Sequence, residues 1–282
     1  MSNAWLENLV TPEEEREFAE QGYMVIEDAI PLDMVERATE VVDRLTADQK
    51  AKEGLGPSDG INIFDFIGKD DVFLELLDYP TTFPKVMGIL GWNIQLYHSH
   101  TIITPPNAVS GPGQQGLNWH KDSGRLNNEL ETDPQPRISL KVAFFLTDTT
   151  ELGRANLYVI PGSHLLNKLP VDEDKKPKGG IAVRAKPGDA VFFDRRIWHA
   201  SSPNTSDMTR KVLFYGYSYR WLRPRDDMTV DHVMGRIDPI RQQLLGAAPS
   251  GWHGYSSPKP EDVPLRAWMQ EKAGANGADR AC

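Results

Sequence analysis

Apolar and polar positions follow two different periods along this chain, and the changeover falls near residue 93. In the first third, apolar residues recur every three to four positions. From Asp33 to about Lys50 the residues Met34, Ala38, Val41, Val42 and Leu45 fall on one side of a 3.6-residue turn, which predicts an amphipathic helix. Upstream, Thr11-Pro12-Glu13-Glu14 is a helix start. Thr11 caps the first turn, Glu14 reaches back to it, and Pro12 sits where a missing N–H costs nothing. Gly22 ends that helix and Tyr23 to Ile26 follows as a short strand. Two shorter helices are expected over Asp71 to Leu77 and Thr82 to Leu90.

From Ile94 onward the texture changes to short β-rich runs separated by Gly, Pro and Asn clusters. Strands are expected near Ile94 to Ile103, Arg137 to Leu146, Leu157 to Ile160, Ile181 to Val183, Ala190 to Phe193 and Lys211 to Tyr219. Many short strands with such punctuation predict an antiparallel sandwich or jelly roll, mainly β with flanking helices. After Arg223 the chain is irregular, with helices expected from about Pro239 to Leu245 and from Leu265 to Lys272. The expected organisation is a single domain over 1–282, with helical support over 1–93, a β core over 94–223 and an irregular, helical extension over 224–282.

Composition narrows the partners more than the fold. With 39% hydrophobic residues the chain can build a core, and a net charge of −9 argues against a nucleic-acid or anionic-membrane surface. No apolar run approaches the ~20 residues needed to cross a bilayer. The N-terminus lacks the basic and apolar regions of a signal peptide. The expectation is a cytoplasmic monomer or homodimer acting on a small molecule. The single cysteine, Cys282, is the last residue, so disulfides, thiolate zinc sites and a cysteine nucleophile drop out.

Chemistry concentrates at His120-x-Asp122, answered far downstream by His199 and then Arg210. Two imidazoles and one carboxylate are the ligand set of a non-haem Fe(II) centre that keeps one face open. The i, i+2 spacing lets His120 and Asp122 leave one strand on the same face, so the third ligand must come from elsewhere. Pro187-Gly188-Asp189 and the apolar run after it deliver Trp198-His199 at the end of a turn and strand. Arg210 is placed to clamp the far carboxylate of a 2-oxoacid. On the last core strand Phe214 shares a face with Arg210, which makes it a candidate substrate contact. Arg125 and Asn127, in the loop after Asp122, point to a polar or anionic substrate. His98 and His100 form an i, i+2 pair that lines the pocket or satisfies a core hydrogen bond, and His100 is a candidate cosubstrate contact. Trp119 and Trp198 are expected to point outward and pack the strands.

Four blocks in order give the chain a family resemblance: Gly22-Tyr23-Met24-Val25-Ile26, Asn118 to Asp122, Leu157 to His164, and the run from Pro187 through His199 to Asn204. They resemble the phytanoyl-CoA dioxygenase family of Fe(II)- and 2-oxoglutarate-dependent oxygenases. The resemblance implies a double-stranded β-helix core, iron held by His120, Asp122 and His199, and 2-oxoglutarate bound through Arg210. It adds Lys141 as a cosubstrate contact and makes His164 a structural residue of a turn away from the metal. It also implies use of O2, release of succinate and CO2, and hydroxylation of a small polar or natural-product substrate, with desaturation, epoxidation and ring formation open. A catalytically silent binding or sensing protein on the same fold is the alternative. One departure is Thr104, in Ile103-Thr104-Pro105, where many relatives place a lysine.

Overall fold

The computed structural model describes residues 3–108 and 117–272. In chain order it runs α1 (Pro12–Gln21), β1 (Tyr23–Ile26), α2 (Leu32–Glu53), β2 (Ile61–Phe64), α3 (Asp71–Leu77), α4 (Phe83–Leu90), β3 (Ile94–Thr104), α5 (Gly124–Glu129) and β4 (Ser139–Phe145). It continues with β5 (Leu157–Val159), β6 (Ile181–Ala182), β7 (Ala190–Asp194), β8 (His199–Ser201), β9 (Arg210–Tyr219), α6 (Asp231–Met234), α7 (Pro239–Leu244) and α8 (Pro264–Lys272). Six strands form one sheet in the order β1-β7-β4-β9-β3-β2, and three form a second in the order β6-β5-β8. Every pairing is antiparallel. The expected jelly roll is therefore present as two facing sheets.

The period of two in the sequence becomes two separate cores. From the large sheet, Ala143 and Phe145, Val191 and Phe193, and Val212 and Phe214 point inward to meet Leu157 and Val159 of the small sheet. Their alternates, Val142 and Phe144, Phe192, Leu213, Tyr215 and Tyr217, join the helices instead. Met34, Ala38 and Val42 bury one face of α2 as its spacing predicts, while Val41 and Leu45 pack at the margin. Tyr215 and Tyr217 donate to the carbonyls of Phe73 and Leu77, at 3.0 and 2.5 Å, so their polar ends are met by α3. One sheet face is thereby dedicated to support, and the other is free to line a site.

Local signals hold where side chains act on their own backbone. Thr11 accepts from the Glu14 N–H, and the Thr11 N–H donates to the Glu14 carboxylate, closing the capping box. Gly22 stops α1 at φ +77°, and a β-carbon there would lie 2.4 Å from His164 Nδ1. A side chain at residue 22 is thus excluded both by backbone conformation and by close approach. His164 is fully buried in this turn, where its Nε2 donates to the Ala19 carbonyl at 3.0 Å, and it is not among the clustered metal-ligand candidates.

Four elements depart from expectation, one of them the single-turn helix α6 in the tail. The segment after Asp122 forms the short helix α5 where a loop is expected. Ile61–Phe64 pairs with β3 as an edge strand. His199–Ser201 makes a three-residue strand bridging β5. Cys282 lies outside the described residues.

Candidate metal centre and cosubstrate pocket

His120 and His199 meet as a single antiparallel bridge, each N–H donating to the other's carbonyl at 2.9 Å. Residues opposed in this way send their side chains to the same face, and the two rings lie 4.3 Å apart. This corrects the expectation that His120 and Asp122 leave one strand: His120 occupies an isolated bridge and Asp122 a bend. The β7–β8 segment still fixes both: His120 bridges His199 of β8, and the Asp122 N–H donates to the carbonyl of Arg195, just after β7, at 3.0 Å. Nitrogens of both imidazoles and an oxygen of Asp122 all lie within 4.8 Å of one another.

The ring tautomers suit coordination. Nδ1 of His120 donates to the Asn118 carbonyl and Nδ1 of His199 to the Ile197 carbonyl, both at 2.9 Å. A carbonyl only accepts, so each Nδ1 carries a proton and Nε2 is the nitrogen left to coordinate a metal. Burial lowers the His199 pKa to about 4, with the nearby Asp122 opposing that shift, and the ring is neutral near pH 7. Burial pushes the Asp122 carboxyl up, but Lys141, His199 and His120 outweigh it and hold the group well below the ordinary carboxylate range. Lys141 Nζ lies 2.9 Å from Asp122 Oδ2, both side chains being buried. Two imidazoles, each with Nδ1 turned to a backbone carbonyl, and an ionised carboxylate on one face fit a divalent iron.

Beyond the triad, Arg210 is 1% exposed, and none of its three guanidinium nitrogens has a hydrogen-bond partner among the described residues. Phe145 and Phe214 flank it at 5.7 and 5.9 Å. Burial lowers its pKa to about 10, so the group is a cation at neutral pH. A buried cation without an anion is costly. Its planar fork matches a carboxylate with two parallel hydrogen bonds, so Arg210 fits the distal end of a dicarboxylate.

The remaining candidates divide by what they touch. Lys141 joins the triad through Asp122 and lies 5.8 Å from the ring centres of both Phe193 and Phe214. Phe214 stacks on His100 at 4.6 Å, with 8° between the rings. His100 is 7% exposed and its Nδ1 has no partner among the described residues. Thr104 stands directly opposite Arg210 across the β3–β9 pair. Arg125 and Asn127 do not reach the triad as free polar groups. The Arg125 side chain is 91% exposed and pairs with Glu129 at 2.8 Å one helical turn on. Asn127 is buried and spent on the scaffold: its Nδ2 donates to the Asp122 carbonyl at 2.8 Å and its Oδ1 accepts from Arg195. Trp119 packs over the backbone at Gly180, where a β-carbon would lie 2.6 Å from the ring.

Two site residues lie beyond what spacing reveals. Arg195 is fully buried and clamps the Asp122 turn with both its carbonyl and its guanidinium. Asp226 accepts from His98 Nδ1 at 2.8 Å across a gap of 128 residues. The only sequence hint of Arg195 is its place just before the Trp198-His199 pair. Nothing in the local pattern marks Asp226.

Residues 18–212 match the family model described as phytanoyl-CoA dioxygenase. Dioxygenase af480 of Aspergillus fumigatus is 27% identical over 199 residues, covering 68% of this chain and 60% of that protein. Dioxygenase ALT11 of Alternaria alternata is 26% identical over 172 residues, covering 56% of this chain and 55% of that protein. The alignments thus span little more than half the length of these two relatives. HygX from Streptomyces hygroscopicus, solved with nickel and 2-oxoglutarate bound, superimposes with a TM-score of 0.61 at 16% identity, over 77% of this chain and 90% of that one. At that identity the likeness establishes the shared fold.

Proposed function

Because the chain belongs to the phytanoyl-CoA dioxygenase family, we propose that it is a non-haem Fe(II)- and 2-oxoglutarate-dependent oxygenase. It hydroxylates an unactivated C–H bond of a small polar or natural-product molecule, with O2 consumed and succinate and CO2 released. The observation that carries this reading is the pairing of an imidazole–imidazole–carboxylate triad with a buried, partnerless arginine in the same barrel. A metal site alone leaves the arginine unexplained. A structural arginine leaves its three nitrogens unexplained.

His120, Asp122 and His199 are the residues that hold iron, and Arg210 holds the distal carboxylate of the cosubstrate. Iron with a chelated 2-oxoacid supplies the oxidising chemistry when bound. The protein's own residues supply placement. Carbonyls behind each histidine fix the Nε2 lone pairs, Lys141 keeps Asp122 ionised, and Phe145, Phe193 and Phe214 give the cavity a dry wall. Water exclusion strengthens the Arg210–carboxylate contact, because charge pairs are worth more where the dielectric is low. The protein acts in the cytoplasm as a monomer or homodimer.

The test is turnover of 2-oxoglutarate under air with Fe(II), read as succinate formed. Wild-type protein gives slow succinate release without added substrate, and His199→Ala gives none above the buffer control. Equal succinate from both proteins contradicts the assignment.

A further inference from the structure

One wall of the barrel carries polar atoms that neither iron nor the 2-oxoacid clamp accounts for. Phe214, His100 and His98 stack in sequence, with ring centres 4.6 and 4.4 Å apart. Phe64, on the edge strand β2, flanks both histidines at 5.9 and 6.0 Å and is 50% exposed. The His100 ring is more than nine-tenths buried, and its Nδ1 is sealed from solvent with no hydrogen-bond partner among the described residues. Buried ring nitrogens without a partner are costly unless a ligand completes them.

His98 is held from behind by the chain that follows β9. The Asp226 carboxylate accepts from His98 Nδ1 at 2.8 Å and from the Ser99 N–H and hydroxyl at 2.5 and 2.8 Å. The neighbouring Arg225 N–H donates to the Tyr97 carbonyl at 2.7 Å, pinning that segment to β3. A carboxylate accepts only, so a proton lies on Nδ1 toward Asp226, and Nε2 is the edge of the ring left for a ligand. Position along the strands separates this pair from the clamp. Thr104 is opposite Arg210 and His98 is opposite Gly216, six residues apart, which is about 20 Å along a strand. Gly216 is in turn opposite Lys141, the partner of Asp122. His98 is therefore level with the metal-ligand end and remote from the end that binds the distal carboxylate.

We propose that His98 and His100 form the recognition subsite for an uncharged, hydroxyl-bearing group of the substrate, with Asp226 as the residue that positions His98. The inference rests on the oxygenase reading above. A hydroxyl both donates and accepts, so it can pair with the Nε2 edge of His98 and with the ring of His100. A carboxylate only accepts, so a ring lone pair offers it nothing. Burial above all, then the charges of Lys141 and His98, disfavour protonation of His100, and an ammonium group would meet the cation of Lys141. Phe64 provides the apolar surface for the rest of the molecule.

The experiment uses full-length protein carrying Zn(II) in place of iron, with 2-oxoglutarate and ¹⁵N-labelled histidine, titrated with benzyl alcohol, benzoate and benzylammonium. Benzyl alcohol is expected to shift the ring ¹⁵N resonances of His98 and His100. Its Kd rises about tenfold in His98→Phe, the loss of one buried hydrogen bond. Asp226→Asn changes the His98 tautomer in the same spectra and weakens the alcohol in parallel. The visible band of the Fe(II)–2-oxoglutarate complex persists in both variants. Tighter binding of benzoate or benzylammonium at these resonances overturns the inference, as does an unchanged Kd in His98→Phe. Loss of the band in His98→Phe overturns it too, by placing the pair in the cosubstrate pocket. Absence of the band from wild-type protein instead overturns the oxygenase reading on which the inference rests.

Discussion

Two buried arginines of this barrel, Arg196 and Arg210, differ in almost everything except burial. Arg196 is 5% exposed and gives Nε and a terminal nitrogen to the Asp194 carboxylate at 2.8 and 2.7 Å, with another donating to the Gln135 carbonyl at 2.5 Å. Arg137 adds a further bond to the same carboxylate at 2.8 Å. Arg210 is buried more deeply and bonds to nothing among the described residues. The first is a finished knot that ties the start of β4 to the turn after β7. The second is half of an interaction, and its missing half must be anionic. Burial alone does not distinguish structure from function; the account of hydrogen-bond partners does.

The contrast breaks most easily at Arg210. Arg210→Met removes two charge-assisted bonds to the cosubstrate, each worth about 1.5–3 kcal/mol, so the apparent Kd for 2-oxoglutarate rises by about 100-fold or more. Thermal stability of the cosubstrate-free protein should hold or increase, since an uncompensated buried charge is gone. At Arg196 the signs reverse. Arg196→Met leaves the buried Asp194 carboxylate with Arg137 as its one cation and costs about 3 kcal/mol in denaturant unfolding, while protein that remains folded keeps its 2-oxoglutarate affinity. Equal stability losses in the two variants would erase the distinction.

Asn127 sharpens the comparison at intermediate scale. Asn127→Ala leaves the buried Arg195 without its amide partner and frees the Asp122 carbonyl, for a loss of about 1–3 kcal/mol. Iron affinity should fall with it, and isothermal titration with Fe(II) under nitrogen measures this. The smallest effect is in acid. Burial pushes the Asp194 carboxyl up, but Arg196 and Arg137 outweigh it and lower its pKa. A carboxylate with a depressed folded pKa contributes its full stability above the unfolded value near ~3.9 and loses it as pH falls through the folded value. Stability should therefore drop more steeply below about pH 4 in wild-type protein than in Asp194→Asn, as followed by urea unfolding across that range.

Much of this architecture is legible in the sequence because the signals are local. The capping box at Thr11, the stop at Gly22 and the alternation along β4 and β9 act within a few residues, and α1, β1 and α3 fall where the pattern puts them. The strand β8 escapes notice because three residues, His199-Ala200-Ser201, hold no period. The helix α5 escapes because Gly124 and the Asn127-Asn128 pair are poor helix formers, and contacts to Arg195 and Gln135 hold it instead. The triad is readable since strand and turn chemistry bracket it. Asp226 behind His98 is not, because only the folded path of the tail brings the two together.

The central claim is that Arg210 is the unfilled half of a cosubstrate site beside an iron triad. Its most direct test is anaerobic titration of Fe(II)-loaded protein with 2-oxoglutarate, following the weak visible charge-transfer band of a chelated 2-oxoacid. A saturable band in wild-type protein that Arg210→Met shifts to far higher cosubstrate concentration is the predicted result. Iron bound with no band, or a band with the same titration midpoint in Arg210→Met, would contradict it.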